Sequence, residues 1–447
     1  MKIIGDIIQS VVNMGASVML PIVITILSMV MGVRIGKAVR SGLMIGVGFV
    51  GLSLLIEMMN DRLGPAAAAM SKNFGLSLNV VDIGWPGASP LTWASDIAAV
   101  AIPVAIAVNL AMLFLKLTKT VNIDIWNIWH MTFTGAIAYA VTGNYAVGVL
   151  GVAVHAAIAY KLGDIWAPMI RDYFELDGIT VPHGTAAYMG PVACVFEYVL
   201  DRIPGINKID ISADTLQEKT GVLGEPIVIG GLLGMIVGFL AGLGPQEAFP
   251  LGIQMSAVMV LMPKVVKCIM DGLLPLSERA KQLLSGKFGD SDFYIGLDPA
   301  VLLGDPQVIT TGLLFIPLTI LIAVLVPGNS VLPFGDLVST GFFIAIACAV
   351  HRGNIFRTLI SGSAIMFMTF WIANQTIPWV SMLIESTGMA GGTSQLTALD
   401  QGGCPITYVY TQIFTRSNLA GMAVIAAIYG FCLVFAVRLS RKREEGL

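Results

Sequence analysis

The sequence predicts an all-α integral membrane protein of about eleven transmembrane helices. Three observations carry that prediction. The 447 residues are 56% hydrophobic and only 12% charged, whereas soluble domains carry roughly 25% charged residues. Mean hydropathy is +0.83, and apolar stretches near the length a bilayer requires, roughly 20 residues, recur along the chain. Basic residues gather in every second connection between those stretches.

Composition excludes several classes. A soluble multidomain enzyme of this length would need far more polar surface. The net charge of -3 gives no footprint for nucleic acid. The five cysteines have neither CxxC nor metal-like spacing, so they read as small apolar fillers. The N-terminus lacks a secretory cleavage pattern. There is no Walker A motif, no HExxH and no recognisable Ser/His/Asp arrangement, so no cofactor and no covalent chemistry by this chain alone are expected.

Spans are expected near 11–33, 41–60, 93–115, 126–143 and 144–169, then 225–243, 249–268, 307–327, 335–351, 354–384 and 406–438. Arg34, Lys37 and Arg40 fill the first connection, and Lys116 and Lys119 the third. Arg171, Arg202, Lys208 and Lys219 lie in the central one. Lys264, Lys267, Arg279, Lys281 and Lys287, then Arg352 and Arg357, then Arg438 to Arg443 follow on the same side. The positive-inside rule places the N-terminus in the periplasm and the C-terminus in the cytoplasm, the parity that eleven crossings demand. Residues 263–284 either lie as an amphipathic helix on the inner leaflet or extend the seventh span.

Internal repetition is visible. A shift of 210 aligns Gly32 with Gly242, Gly42 with Gly252, Asp61 with Asp271, Pro65 with Pro275, and Gly143-Asn144 with Gly353-Asn354. It also aligns Pro168 with Pro378, Glu175 with Glu385, and Gly178 with Gly388; a shift of 214 aligns Phe74-Gly75 with Phe288-Gly289 and Pro103 with Pro317. Five spans per half is an odd number, so the halves face opposite ways: an inverted repeat, as in alternating-access transporters. Repeat one covers about 10–190, a polar cytoplasmic link about 191–224, repeat two about 225–405, and the last span 406–438, all within one membrane unit of 1–447.

The candidate site lies at breaks between spans. Val80 to Pro90 contains Pro86, Pro90, Gly84 and Gly87 and cannot continue a helix. Ile295-Gly-Leu-Asp-Pro299 is its counterpart in the second half. Irregular backbone at membrane depth must be buried in protein or line a cavity, and paired interruptions point to a substrate site. Asp82 and Asp298 at these breaks either accept substrate hydroxyls or cap the following helices. Trp85 either stacks on substrate or joins the interfacial aromatic belt; Trp93 reads as belt. His130 bonds either substrate or a neighbouring carbonyl, with Trp126 four residues before it on one helical face.

Residues 177–191 and 397–405 read either as re-entrant hairpins or as ordinary turns at the membrane surface. The first presents His183 and Thr185, the second Asp400 and Gln401, a set suited to a polyhydroxylated solute. His155 reads as a packing histidine and His351 as a basic anchor at a cytoplasmic span end. Glu175 and Glu385 belong to the hairpins' support or to a coupled-ion pathway. Ionisable groups at this depth are functional candidates by default. An ion-coupled secondary transporter, protonated at Glu175, Glu385 or Asp298, fits the same features.

Long motifs separate the two readings. VVDIGWPGASPLTWAS (80–95), IPVAIAVN (102–109), VNIDIWNIWHMTFTGA (121–136), VPHGTAAYMGP (181–191) and IGLDPAVLLG (295–304) stand with LVPGNSVLPFGDL (325–337), AVHRGNIFRTLISG (349–362) and ALDQGGCPIT (398–407). Together they resemble the galactitol-specific IIC components of the bacterial phosphoenolpyruvate-dependent phosphotransferase system, and more distantly the ascorbate IIC transporters. The resemblance runs from about residue 10 to the last span. It implies an inner-membrane homodimer in contact with lipid, with a dimerising V-shaped motif domain and a mobile core domain moved in an elevator-like step. It implies a polyol substrate, galactitol, and partner IIA and IIB proteins, with a IIB phosphocysteine supplying the phosphoryl group. The motif positions present here are Asp82, Trp85, His130, His183, Asp298, Asp400 and Gln401, which the resemblance makes candidate substrate ligands.

Overall fold

The computed structural model describes residues 16–73, 78, 80–212, 222, 225–288, 293–333, 335–387 and 395–446. Asp214, Glu218 and Lys219 of the central link lie outside the described residues, as do Phe74, Gly75, Gly289 and Gly388 of the repeat comparison. The side chains of Glu278, Lys281 and Lys287 lie outside them too.

Helices dominate. In the first half they are α1 (Ala16–Val30), α2 (Ile35–Asn73), α3 (Gly84–Trp93), α4 (Ala98–Phe114), α5 (Ile125–Thr142), α6 (Tyr145–Phe174) and α7 (Ala186–Leu200). In the second they are α8 (Pro226–Leu240), α9 (Pro245–Phe288), α10 (Pro306–Leu325), α11 (Thr340–Val350), α12 (Ile355–Ser386), α13 (Leu399–Gly402), α14 (Pro405–Thr415) and α15 (Leu419–Glu444). Among the described residues α6, α10, α12 and α15 are long and apolar enough to cross a membrane, and the bent pair α3–α4, turning by 92°, makes a fifth.

Side-chain oxygens start several of these helices. Asn144 accepts from Ala146 and Val147 N–H, Asp305 from Gln307 and Val308 N–H, and Asn354 from Arg357 N–H. Each bond satisfies an amide that the helix itself cannot. The Gly143-Asn144 and Gly353-Asn354 junctions found in the repeat comparison are two of these starts.

Three features differ from the hydropathy reading. First, α2 and α9 run on well past their apolar windows, to Asn73 and Phe288. The extension of α2 is rich in Ala and that of α9 in Leu, strong helix formers that keep the backbone helical beyond the greasy part. Residues 263–284 therefore continue the helix that begins at Pro245. Second, the expected single span 406–438 is two helices. The chain turns at Arg416 (φ 53°), where Gln412 Oε1 accepts from Asn418 N–H and the Ser417 hydroxyl.

Third, the breaks contain six short strands: β1 (Val80–Asp82), β2 (Thr120–Asn122), β3 (Ile179–Thr180), β4 (Tyr294–Gly296), β5 (Val331–Leu332) and β6 (Gln395–Thr397). They form two three-stranded parallel sheets, β5-β1-β6 and β2-β4-β3. Unpaired backbone costs several kcal/mol per group in hydrocarbon, so pairing is how these non-helical breaks persist inside the molecule. Each sheet takes its centre strand from one half and both outer strands from the other. Val80 pairs with Val331 and Gln395, and Ile295 pairs with Val121 and Ile179.

α1, α2, α8 and α9 pack on one another. A Cβ on Gly42 would come within 2.6 Å of the Pro21 carbonyl, and one on Gly252 within 2.8 Å of the Gly231 carbonyl. Small residues at these crossings let the helix backbones approach closely. The remaining helices enclose the main core, which includes Trp166, Tyr160, Tyr188, Phe315, Phe343 and Phe370. The central link is tied down at its start. Asn354 Nδ2 donates to the Ile209 carbonyl (2.8 Å), Ile355 N–H donates to the Ile211 carbonyl (2.7 Å), and Arg357 bonds Glu197 and Asp201 at 2.9 and 2.7 Å.

Candidate functional site

Asp124 sets the start of α5, accepting Trp126 N–H (2.9 Å) on one oxygen and Asp298 N–H (3.1 Å) on the other. His130 follows within the next two turns, where it meets the loop between β3 and α7 and the short helix α13. The result is a buried cluster of His130, His183, Thr185, Asp298, Asp400 and Gln401, each at most 8% exposed. The imidazole rings of His130 and His183 meet edge to face with centroids 4.0 Å apart. Gly184 leaves the room: a Cβ there would stand 2.5 Å from His130 Cβ.

The partners of each ring decide its tautomer. His130 Nδ1 is 3.0 Å from the Trp126 carbonyl, which can only accept, so Nδ1 carries the hydrogen. Its Nε2 faces Asp400 Oδ2 and Thr185 Oγ1, each at 3.4 Å, and the Thr185 hydroxyl gives its own hydrogen to Asp400 Oδ1. His183 is held through its other nitrogen. Thr185 N–H donates to its Nδ1 (3.2 Å), so Nε2 carries the hydrogen and faces Asp298 Oδ2 at 3.4 Å. The two rings thus face the two carboxylates, His130 toward Asp400 and His183 toward Asp298.

The two carboxylates are held differently. Asp298 caps the 3₁₀ turn Pro299–Leu302 through Ala300 N–H (2.8 Å), leaving its second oxygen toward His183. Asp400 Oδ1 accepts from the Thr185 hydroxyl and from Gln401 Nε2 (2.9 Å). Gln401 Oε1 is buried with no hydrogen-bond partner among the described residues. Trp129, with its centroid 4.0 Å from that of His130, and Phe342, 6.1 Å from that of His183, supply apolar wall.

Asp82 and Trp85 lie in the adjoining knot of main chain. Asp82 Oδ1 accepts Gly84 N–H (3.0 Å) and Leu399 N–H (2.9 Å), and its Oδ2 accepts Asp336 N–H (2.8 Å). Of the two roles open to Asp82, capping is the one these bonds describe. Trp85 Nε1–H donates to Ser339 Oγ (3.1 Å), and its ring stands edge-on to Trp126 with centroids 6.0 Å apart. Five of the seven candidate ligands therefore share one cluster, and two stand beside it.

Other expected residues go elsewhere. Glu175 and Glu385 are exposed at the ends of α6 and α12. His155 bonds Thr134 Oγ1 (2.7 Å) in the core. His351, read as a surface anchor, is buried between Glu197 (2.7 Å) and Ser361 (2.8 Å). Trp93 is half-buried against the core. Sequence reasoning did not single out Asp336, nor weigh Asp124 as more than the opening of α5. Their offset of 212, between the two shifts of the repeat comparison, was the signal available.

A many-helix membrane fold enclosing a buried, apolar-walled group of carboxylate, imidazole and amide defines a membrane permease for a small polar solute. The chain belongs to the family of PTS system sugar-specific permease components, whose model matches residues 10–402. It is 53% identical over 425 residues to the "PTS system galactitol-specific EIIC component" of Escherichia coli strain K12 and to that of strain O157:H7, covering 95% of this chain and 94% of each relative. It is 36% identical over 437 residues to a "Putative permease IIC component" of strain K12, covering 97% of this chain and 98% of that one. The protein is accordingly a transport subunit of the multi-pass membrane class.

Proposed function

We propose that this chain is the membrane component of a galactitol phosphotransferase system. It binds galactitol from the periplasm and carries it inward for phosphorylation by a separate IIB protein, itself charged by IIA. The carrying observation is the pair His130–Asp400 and His183–Asp298, which brings both halves of the chain to one buried point. A polyol offers hydroxyls that donate and accept alternately. Asp298, Asp400 and Gln401 Oε1 accept from them, and His183 Nε2–H and the Gln401 amide donate to them. Trp85 closes the site as wall, and Asp82 holds the chain that carries it.

The transport step is an elevator-like movement of a core domain against a dimerising domain in a homodimer within the bacterial inner membrane. The layer α1, α2, α8 and α9 supports the reading of a separate dimerising unit, its apolar residues such as Leu43, Ile236 and Ile253 lying outward. The reciprocal sheets and the paired Gly-Asn junctions support two inverted repeats, about 10–190 and 225–405, followed by α14 and α15. Alternating basic connections support a periplasmic N-terminus and a cytoplasmic C-terminus.

Inside, a phosphocysteine on IIB transfers its phosphoryl group to a terminal hydroxyl, whose proton passes to a carboxylate of the cluster as general base. The product is anionic and faces two carboxylates, so it leaves and cannot return. The test is labelled galactitol uptake in vesicles, with and without phosphoenolpyruvate and the soluble relay. Galactitol phosphate formed only with the complete relay is expected. Unmodified galactitol accumulating on a proton or sodium gradient would overturn the reading and make the carboxylates a coupling site.

A further inference from the structure

We propose that Asp336 is a positioning residue that fixes where Asp400 and Trp85 stand, by holding the main chain of both. The proposal rests on reading the His130–Asp400 cluster as the polyol site. Asp336 is 1% exposed and lies just before the 3₁₀ turn Leu337–Ser339. Its Oδ1 accepts Trp85 N–H at 2.9 Å and its Oδ2 accepts Asp400 N–H at 2.8 Å.

Asp82 completes the pattern. It takes Gly84 and Leu399 N–H, the residue before each of those two, and also Asp336's own N–H. Two carboxylates therefore share the first amides of α3 and of α13, one taking the first residue of each helix and the other the second. Those amides have no partner within their own helices. Five amides aimed at two neighbouring carboxylates also offset the charge that burial would otherwise penalise.

The knot is closed tightly. Gly84 has φ +59°, and a Cβ on it would fall 2.3 Å from the Gly335 carbonyl carbon. No side chain fits between these breaks, so the segments around 84, 335 and 399 are one body. The direction of the Asp400 carboxylate toward His130 is then set by where Asp336 holds the Asp400 amide. Asp124 makes a related arrangement for the other carboxylate, taking Asp298 N–H and the start of the helix that bears His130.

The experiment is Asp336→Asn in the full-length purified protein, read by hydrogen exchange and by galactitol binding. One oxygen remains, and an amide group faces the second N–H. Exchange should quicken about ten- to hundredfold at 84–85 and 399–400, with galactitol affinity down about tenfold or more and residues 150–170 of α6 unchanged. Faster exchange throughout the protein would make Asp336 a general stabiliser and overturn the proposal. Faster local exchange with unchanged affinity would overturn it as well, provided Asp400→Asn lowers affinity. Unchanged affinity in Asp400→Asn would bring down the site reading instead, and the exchange arm would still judge the knot. Should Asp336→Asn fail to fold, Asp336→Glu keeps both acceptors and moves them by one methylene. It should retain protection at 84–85 and lose affinity, and wild-type affinity there would overturn the proposal.

Discussion

Replacing Gly184 with alanine puts a methyl group where the ring of His130 stands. The added Cβ would lie 2.5 Å from His130 Cβ and 2.6 Å from Cγ, where ordinary contacts begin at 3.4 Å. The imidazole must therefore withdraw by about 0.9 Å, against Trp129 packed on it and the Trp126 carbonyl bound to Nδ1. Overpacking of this kind costs about 1–3 kcal/mol of stability, and a misplacement near 1 Å at the site costs about a hundredfold in rate. Phosphoenolpyruvate-dependent galactitol uptake should fall by about that factor, with a modest drop in the melting temperature of the purified protein. Gly36→Ala is the control, because nothing lies within 4 Å of its added Cβ. Wild-type uptake by Gly184→Ala would refute the argument, since the ring's position would then not matter to transport.

Two further predictions follow from the same geometry. His183→Ala and Asp400→Asn should each abolish phosphorylating uptake while the protein is still made and inserted, measured as uptake normalised to membrane content; transport at the wild-type rate in both would remove the site. Arg357→Ala leaves Glu197 without its guanidinium and should destabilise the protein by about 3 kcal/mol, the low end for breaking a buried pair, because Glu197 keeps His351. Thermal unfolding measures it, and an unchanged midpoint would make the Arg357 bonds incidental.

Hydropathy located the long helices α6, α10 and α12, because each buries or exposes an apolar surface over its own length, which is a local property. The breaks at 80–90 and 295–299 were legible for the same reason, since Pro and Gly act on their own backbone. So were His183, Asp400 and Gln401, polar groups in segments too irregular to be spans. The sheets were not legible: Val80 finds its register against Val331 and Gln395, and nothing near Val80 encodes either. Asp336 was missed because its two partners sit 251 and 64 residues away, so it reads as one more loop acid. His351 was misplaced because a span end is usually wet, whereas here Glu197 and Ser361 enclose it.

The exchange of strands between halves has a consequence for how the chain is made. β2 and β3 are complete once residue 180 has been synthesised, but the strand they flank is residues 294–296. At 5–20 residues per second, the ribosome supplies it only after roughly 6–23 seconds. Until then two strand edges wait open in the translocating chain, and such edges recruit whatever strand arrives first. A nascent first half is thus an unfinished clasp, safe only if its neighbour is still attached and on its way. A gene split at the central link would yield two fragments that fold together or not at all.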